Sequence, residues 1–143
     1  MAALTQPVNR TGRCEPAYRT NAFYVAKSGY VLYKGAFIMA VAGKARPAAS
    51  GVAGAVLLGV LAEYAADRID ASGGDVTISD GVRPLMGRWE VAISASDPVS
   101  NANIGTAVAL ADDNTIKATI AANDVTVVLR DIINSTTALV EIV

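Results

Sequence analysis

The chain has no histidine among its 143 residues. That absence removes the commonest general base, the commonest metal ligand and the side chain that titrates near neutral pH. A Ser-His-Asp triad and a Cys-His pair are both excluded. Cys14 is the only cysteine, so no disulfide can form within the chain, and structural zinc lacks a ligand set. Such sparing use of cysteine fits a reducing compartment. Aromatic residues make up 6% and charged residues 17%, the latter below the usual roughly 25%. A core must therefore rest on Ala, Val, Ile and Leu. The surface keeps more uncharged area than a solitary protein needs, which points to interfaces and to oligomerisation. Long apolar runs are also missing. The longest uncharged one lies between Arg46 and Glu63, interrupted by Pro47, Gly51, Gly54 and Gly59. It falls short of the roughly 20 residues a membrane span requires. Residues 1–13 show no apolar signal core.

Charge is present but unevenly spread. Residues 1–50 hold seven Lys or Arg (Arg10, Arg13, Arg19, Lys27, Lys34, Lys44, Arg46) against one acid, Glu15. The rest of the chain holds five basic residues against twelve acids. A basic front and an acidic body suit opposite partners: a second copy of the chain, a protein shell, or nucleic acid.

The first 20 residues show neither an apolar period of 2 nor one of 3.6, and Pro7 and Pro16 keep them extended. They read as an arm, residues 1–20, preceding a β domain, residues 21–143. Arg10, Arg13 and Arg19 are its candidate partner-binding residues, because their forked donors pair well with carboxylates. From Phe23 onward, short β-favouring runs alternate with turn signals: Ser28-Gly29, Lys34-Gly35, Gly43, Ser72-Gly73-Gly74, Asp80-Gly81, Asp97-Pro98, Asp112-Asp113-Asn114, Ala122-Asn123-Asp124 and Asn134–Thr137. Asp75–Ser79, Arg88–Ile93 and Thr115–Ile120 alternate polar with apolar residues, as half-buried strands do. Val125–Leu129, with Ile132 and Ile133 after it, and Ala138–Val143 read as the last strands. Gly54–Ala62 favours a buried strand, since each glycine costs a helix about 1 kcal/mol relative to Ala. Residues 62–69 fit one helical turn or a strand. Turns this regular predict an all-β fold, a small β-barrel or β-sandwich.

Little of this carries chemistry. Asp112-Asp113-Asn114 could offer oxygens to calcium, but without the loop spacing or terminal Glu of a calcium loop, it reads as a turn. Tyr18, Arg19, Phe23, Tyr24, Lys27, Tyr30, Tyr33 and Lys34 interleave rings with cations, the pattern of a single-strand nucleic-acid groove. The alternative is that tyrosine simply favours strands and interfaces. The sequence pI of about 5.3 argues against specific nucleic-acid binding.

Three segments together resemble small structural proteins of tailed bacteriophages. They are Tyr33–Met39 continuing through Ala42-Gly43-Lys44-Ala45-Arg46-Pro47, then Val56–Ala62, then Asn103–Val108 with Asp112–Ile116. The family is that of head decoration, or cement, proteins. The resemblance covers about residues 25–143 and leaves out the arm. It implies a β-barrel or β-sandwich on the outside of a phage head, often a homotrimer, bound to the major capsid protein and stabilising contacts between its subunits. It implies no catalysis, no cofactor and no metal, and a protein made in the host cytoplasm and carried on the virion. The alternative is a single-stranded nucleic-acid-binding β-barrel module.

Overall fold

The computed structural model describes residues 3–7, 12–13, 24–61, 67–77 and 84–142. Its strands run β1 (Gly12–Arg13), β2 (Val25–Ala26), β3 (Val31–Tyr33), β4 (Phe37–Val41), β5 (Lys44–Pro47), β6 (Val56–Val60) and β7 (Arg68–Asp70). Then come β8 (Gly87–Ile93), β9 (Ala107–Leu110), β10 (Thr115–Lys117), β11 (Thr126–Asn134) and β12 (Thr137–Ile142), with a 3-10 turn at Asn101–Asn103. The fold is all-β.

The last five strands close on themselves as a barrel in the order β8-β10-β9-β11-β12, with β12 returning to β8. All its pairings are antiparallel except β10 with β8. Alternation explains the inside. Trp89, Val91 and Ile93 of β8, Val108 and Leu110 of β9, Ile116 of β10, Val127 and Leu129 of β11, and Ala138, Val140 and Ile142 of β12 share one buried cluster. The residues between them face outward, as the two-residue period of a strand requires. Trp89 donates its indole N–H to the Met86 carbonyl at 3.3 Å, which satisfies the one polar atom this ring brings inside.

Beside the barrel lies a sheet in the order β2-β5-β4-β6, and a two-stranded pair, β3 with β7. The central strand β4 carries Phe37-Ile38-Met39-Ala40, four apolar residues in a row, all buried. Phe37 and Met39 join the barrel cluster, while Ile38 and Ala40 join a second cluster with Ala26, Leu32, Ala45, Leu58, Leu61 and Ile69. An unbroken apolar run is what a strand needs when both its faces are covered. The neighbouring strand β6 follows suit through a bulge: Ile38 faces Gly59 but Met39 faces Leu57, with Leu58 the extra residue.

Gly59 is the tightest point of this seam. Its φ is +153°, and a Cβ there would sit 2.5 Å from the Leu85 carbonyl oxygen. Val60 and Leu85 exchange both backbone hydrogen bonds beside it, at 2.8 and 2.9 Å.

Several expectations are refined. The choice between barrel and sandwich resolves to the barrel. Lys44–Pro47, between two turn signals in sequence, is a strand paired to β4. Of the expected strand Asp75–Ser79, the described part reaches the sheet only through Val76, bridged to Ala26. Asp75 turns instead to Lys44 and to the Ser28 amide. The strand expected over Thr115–Ile120 stops at Lys117, because the Ala118 and Thr119 amides donate to the carbonyl and carboxylate of Asp97, at 3.1 and 3.0 Å. Thr126–Asn134 is one strand, kept continuous past Leu129 by two register shifts. Arg68–Asp70 is extended; residues 62–66, and with them most of the helix-or-strand question, lie outside the described residues, as does Asp80-Gly81.

Two substitutions test this packing. Gly59→Ala should lower the unfolding free energy by more than about 2 kcal/mol in urea melts, because backbone must shift. Gly54→Ala, at φ +73° in open space, should cost only about 1 kcal/mol. Thr115 is 1% exposed and its hydroxyl has no partner. Thr115→Val should therefore hold or raise stability, by up to about 1 kcal/mol in the same melts.

Candidate interaction surface

On the outside of the barrel, antiparallel register sets Arg88 of β8 across from Glu141 of β12. The first register shift in β11 falls between Leu129 and Asp131 and leaves Arg130 as the extra residue. Both arginines reach the same carboxylate oxygen: Nε of Arg130 lies 2.6 Å from Oε1 of Glu141 and Nε of Arg88 lies 3.5 Å from it. These groups are half exposed, so the pairs add little to stability. They fix the direction of two guanidinium groups instead. On the opposite edge of β8, β1 pairs antiparallel, Gly12 with Trp89 and Arg13 with Arg88. Arg13, one of the three arm arginines singled out from sequence, thus enters a row with Arg88 and Glu141 across three neighbouring strands. Arg10 and Arg19 lie outside the described residues.

Among the described residues, the large aliphatic side chains most open to solvent are Val56, Ile104, Ile120 and Ile133, at 40–50% exposure. Ile133 owes its position to the second shift in β11, between Ile132 and Asn134. Val56 follows the uncharged β5–β6 loop and Ile120 lies in the β10–β11 loop, whose one carboxylate, Asp124, fastens the two loops to each other. Asp124 accepts from the Ser50 hydroxyl at 2.6 Å and from the amides of Gly51 and Ala121 at 2.8 Å each. Lys117 bonds both partners, 3.0 Å from the Asp124 carboxylate and 2.9 Å from the Ser50 hydroxyl. Burial alone would raise the Asp124 pKa. The Ser50 hydroxyl, the Ala121 amide, Lys117 and the Gly51 amide together outweigh it and pull the value down to about 2.

The aromatic–cation segment is used differently from a stacking groove. Tyr24 and Tyr30 pack against the second core cluster. The Arg46 guanidinium lies over the Tyr30 ring, 4.4 Å from its centre, so one face of that ring is already covered. Tyr18, Arg19 and Phe23 lie outside the described residues. The Asp112–Asn114 segment forms the turn between β9 and β10. Asp112 accepts from the Asn114 amide at 2.8 Å, an Asx turn, and Asp113 accepts from the Leu4 amide at 2.8 Å. Among the described residues no three His, Cys, Asp or Glu side chains come together as a metal site, and no helix is long and apolar enough to cross a membrane.

Sequence reasoning named the arm arginines but missed Arg88, Arg130 and Glu141. Alternation marks Arg88 and Glu141 as outward-facing; nothing local marks them as facing each other. No family model, curated protein or solved structure matches the chain.

The Asp124 clasp has a measurable pH dependence. A carboxyl whose folded pKa is depressed contributes stability above its unfolded value and loses it as pH falls through the folded value. Stability should therefore drop by about 2 kcal/mol between about pH 4 and pH 2 on its account. Asp124→Asn should flatten that part of the profile in chemical melts run across the window.

Proposed function

We propose that this chain is a structural virion protein, a decoration or cement protein. It binds the outside of a tailed-phage head and stabilises contacts between subunits of the major capsid protein. The observation that carries the reading is the surface just described. A small barrel with exposed aliphatic side chains, two loops clasped through Asp124 and directed guanidinium groups suits lasting contact with a protein shell. The resemblance to phage decoration proteins supports it independently. The protein acts without catalysis or cofactor, as a homotrimer on the capsid surface of the virion, after synthesis in the host cytoplasm. Arg10, Arg13 and Arg19 pair with carboxylates of the shell. The alternative reading, a single-strand nucleic-acid module, loses much of its motive because Tyr24 and Tyr30 serve in packing.

Purified protein mixed with undecorated phage heads should co-sediment with them and appear as threefold density on their outer surface. Arg10→Ala, Arg13→Ala and Arg19→Ala combined should weaken attachment about tenfold or more, and added salt should weaken the unaltered protein too. A protein that stays monomeric and binds no head would refute the reading. Single-stranded DNA binding that survives physiological salt, and falls on Tyr24→Ala or Tyr30→Ala, would establish the alternative instead.

A further inference from the structure

β11 is nine residues long, but β9 pairs only with its Thr126, Val127 and Val128. Leu129 is covered next, by the Gly105 amide and the Thr106 carbonyl, at 2.7 and 3.0 Å. Beyond it, among the described residues, no strand lies on the side of β11 away from β12. Arg130, Asp131, Ile133 and Asn134 are exposed there. Register shows which backbone groups this open edge presents. The Ile93 amide of β8 donates to the Thr136 carbonyl at 3.0 Å. Backbone direction alternates along a strand, so the groups of Ala138 and Val140 in β12 also turn toward β8, across from Val91 and Trp89. Their partners in β11 are Ile132 and Leu129, whose own amides and carbonyls then point away from β12. The two hydrogen bonds of Leu129 to the 105–106 segment agree. Ile132 thus presents an amide and a carbonyl to the open edge, and the carboxylate of Asp131 accepts from that amide at 2.8 Å. The bulge allows this: with Arg130 as the extra residue, the Ile132 side chain still packs on the barrel core while Asp131 stays outside.

We infer that Asp131 is the gatekeeper of the β11 edge: by holding the Ile132 amide it keeps this edge from pairing with the same edge of a second copy of the chain. An outward amide and carbonyl on one residue are self-complementary. Two copies related by a twofold axis at Ile132 would exchange both bonds as an antiparallel pair. Ile133, beside it and 43% exposed, would be covered in the same step. The incoming Ile132 carbonyl needs the N–H that the Asp131 carboxylate holds. It would also strip water from that carboxylate and meet its charge at close range. The consequence for assembly rests on the function proposed above: a twofold edge contact would link homotrimers into an open network, and Asp131 keeps each one closed. The gate itself does not depend on that function.

The test uses the full chain, read by amide hydrogen exchange and by sedimentation. Asp131→Val removes the acceptor and favours a strand. Asp131→Asn keeps an acceptor oxygen and removes the charge. In dilute solution the Ile132 amide of the valine variant should exchange about tenfold faster than in the unaltered chain, with the Val127 and Val140 amides unchanged. As its concentration rises, the valine variant should form a species of about twice the mass of the unaltered protein, and its Ile132 amide should slow again. The asparagine variant should match the unaltered chain in both measurements. A valine variant that never sediments faster than the unaltered chain overturns the gate. Association that leaves the Ile132 amide fast places the contact elsewhere and overturns it too. If the asparagine variant associates as the valine variant does, capture of the amide guards nothing and the inference fails. If the unaltered chain itself slows at Ile132 with concentration, the edge is already open and there is no gate. None of these outcomes requires a phage head, so they stand or fall apart from the proposed function.

Discussion

The structure depends on β4 being buried on both faces. Phe37 and Met39 complete the barrel core, and Ile38 and Ala40 complete the second. A strand in this position cannot expose a side chain of either parity, so every neighbour must be placed to cover it. This constraint explains the bulge in β6. Without the extra residue Leu58, both Leu57 and Val60 could not face the barrel while Leu58 and Leu61 face the other way. Gly59 in turn exists at that spot because Leu85 closes over it at a distance no Cβ allows. The run of apolar residues, the bulge and the glycine are consequences of one requirement.

Much of the fold is legible in the sequence, and the reasons are local. Ser28-Gly29, Lys34-Gly35 and Ala42-Gly43 all form turns, and the positive φ angles of Gly29, Gly35 and Gly43 are those that glycine adopts at little cost. Alternation in Arg88–Ile93 correctly separates inside from outside. What is not legible is pairing at a distance. The sequence carries no mark that β10 lies parallel to β8, nor that β12 returns to close the barrel. For the same reason the Arg88–Glu141–Arg130 group and the Ser50–Asp124 clasp are invisible until the strands are assembled. Their members stand from 11 residues apart (Arg130 and Glu141) to 74 (Ser50 and Asp124), and each looks like an ordinary polar residue on its own. Strand ends fail differently. Thr115–Ile120 has the right pattern throughout, yet Asp97 captures two of its amides and ends the strand early. A side chain from outside the segment overrides the pattern within it.

Among the described residues, the division of charge along the chain does not become a division into a basic half and an acidic half. Lys44, from the basic third, is paired to Asp75 of the acidic part. Lys44 and the Ser28 amide hold the Asp75 carboxyl below the usual range. Arg46 is spent on the face of Tyr30. Within the acidic part, Lys117 answers Asp124 while Arg88 and Arg130 answer Glu141. Strand pairing brings opposite charges together across the sequence, so the long-range field is weaker than the linear count suggests. The charged exterior is then described less by bulk charge than by where individual groups are fixed. The register of β1, β8 and β12 sets Arg13, Arg88 and Glu141 at one level, and Arg130, the extra residue of the shift in β11, reaches Glu141 from the far side. A one-residue slip of β12 against β8 would turn Glu141 inward and break the row, but it would also turn Ala138, Val140 and Ile142 out of the core. The apolar packing of the barrel thereby fixes the geometry of its charged exterior.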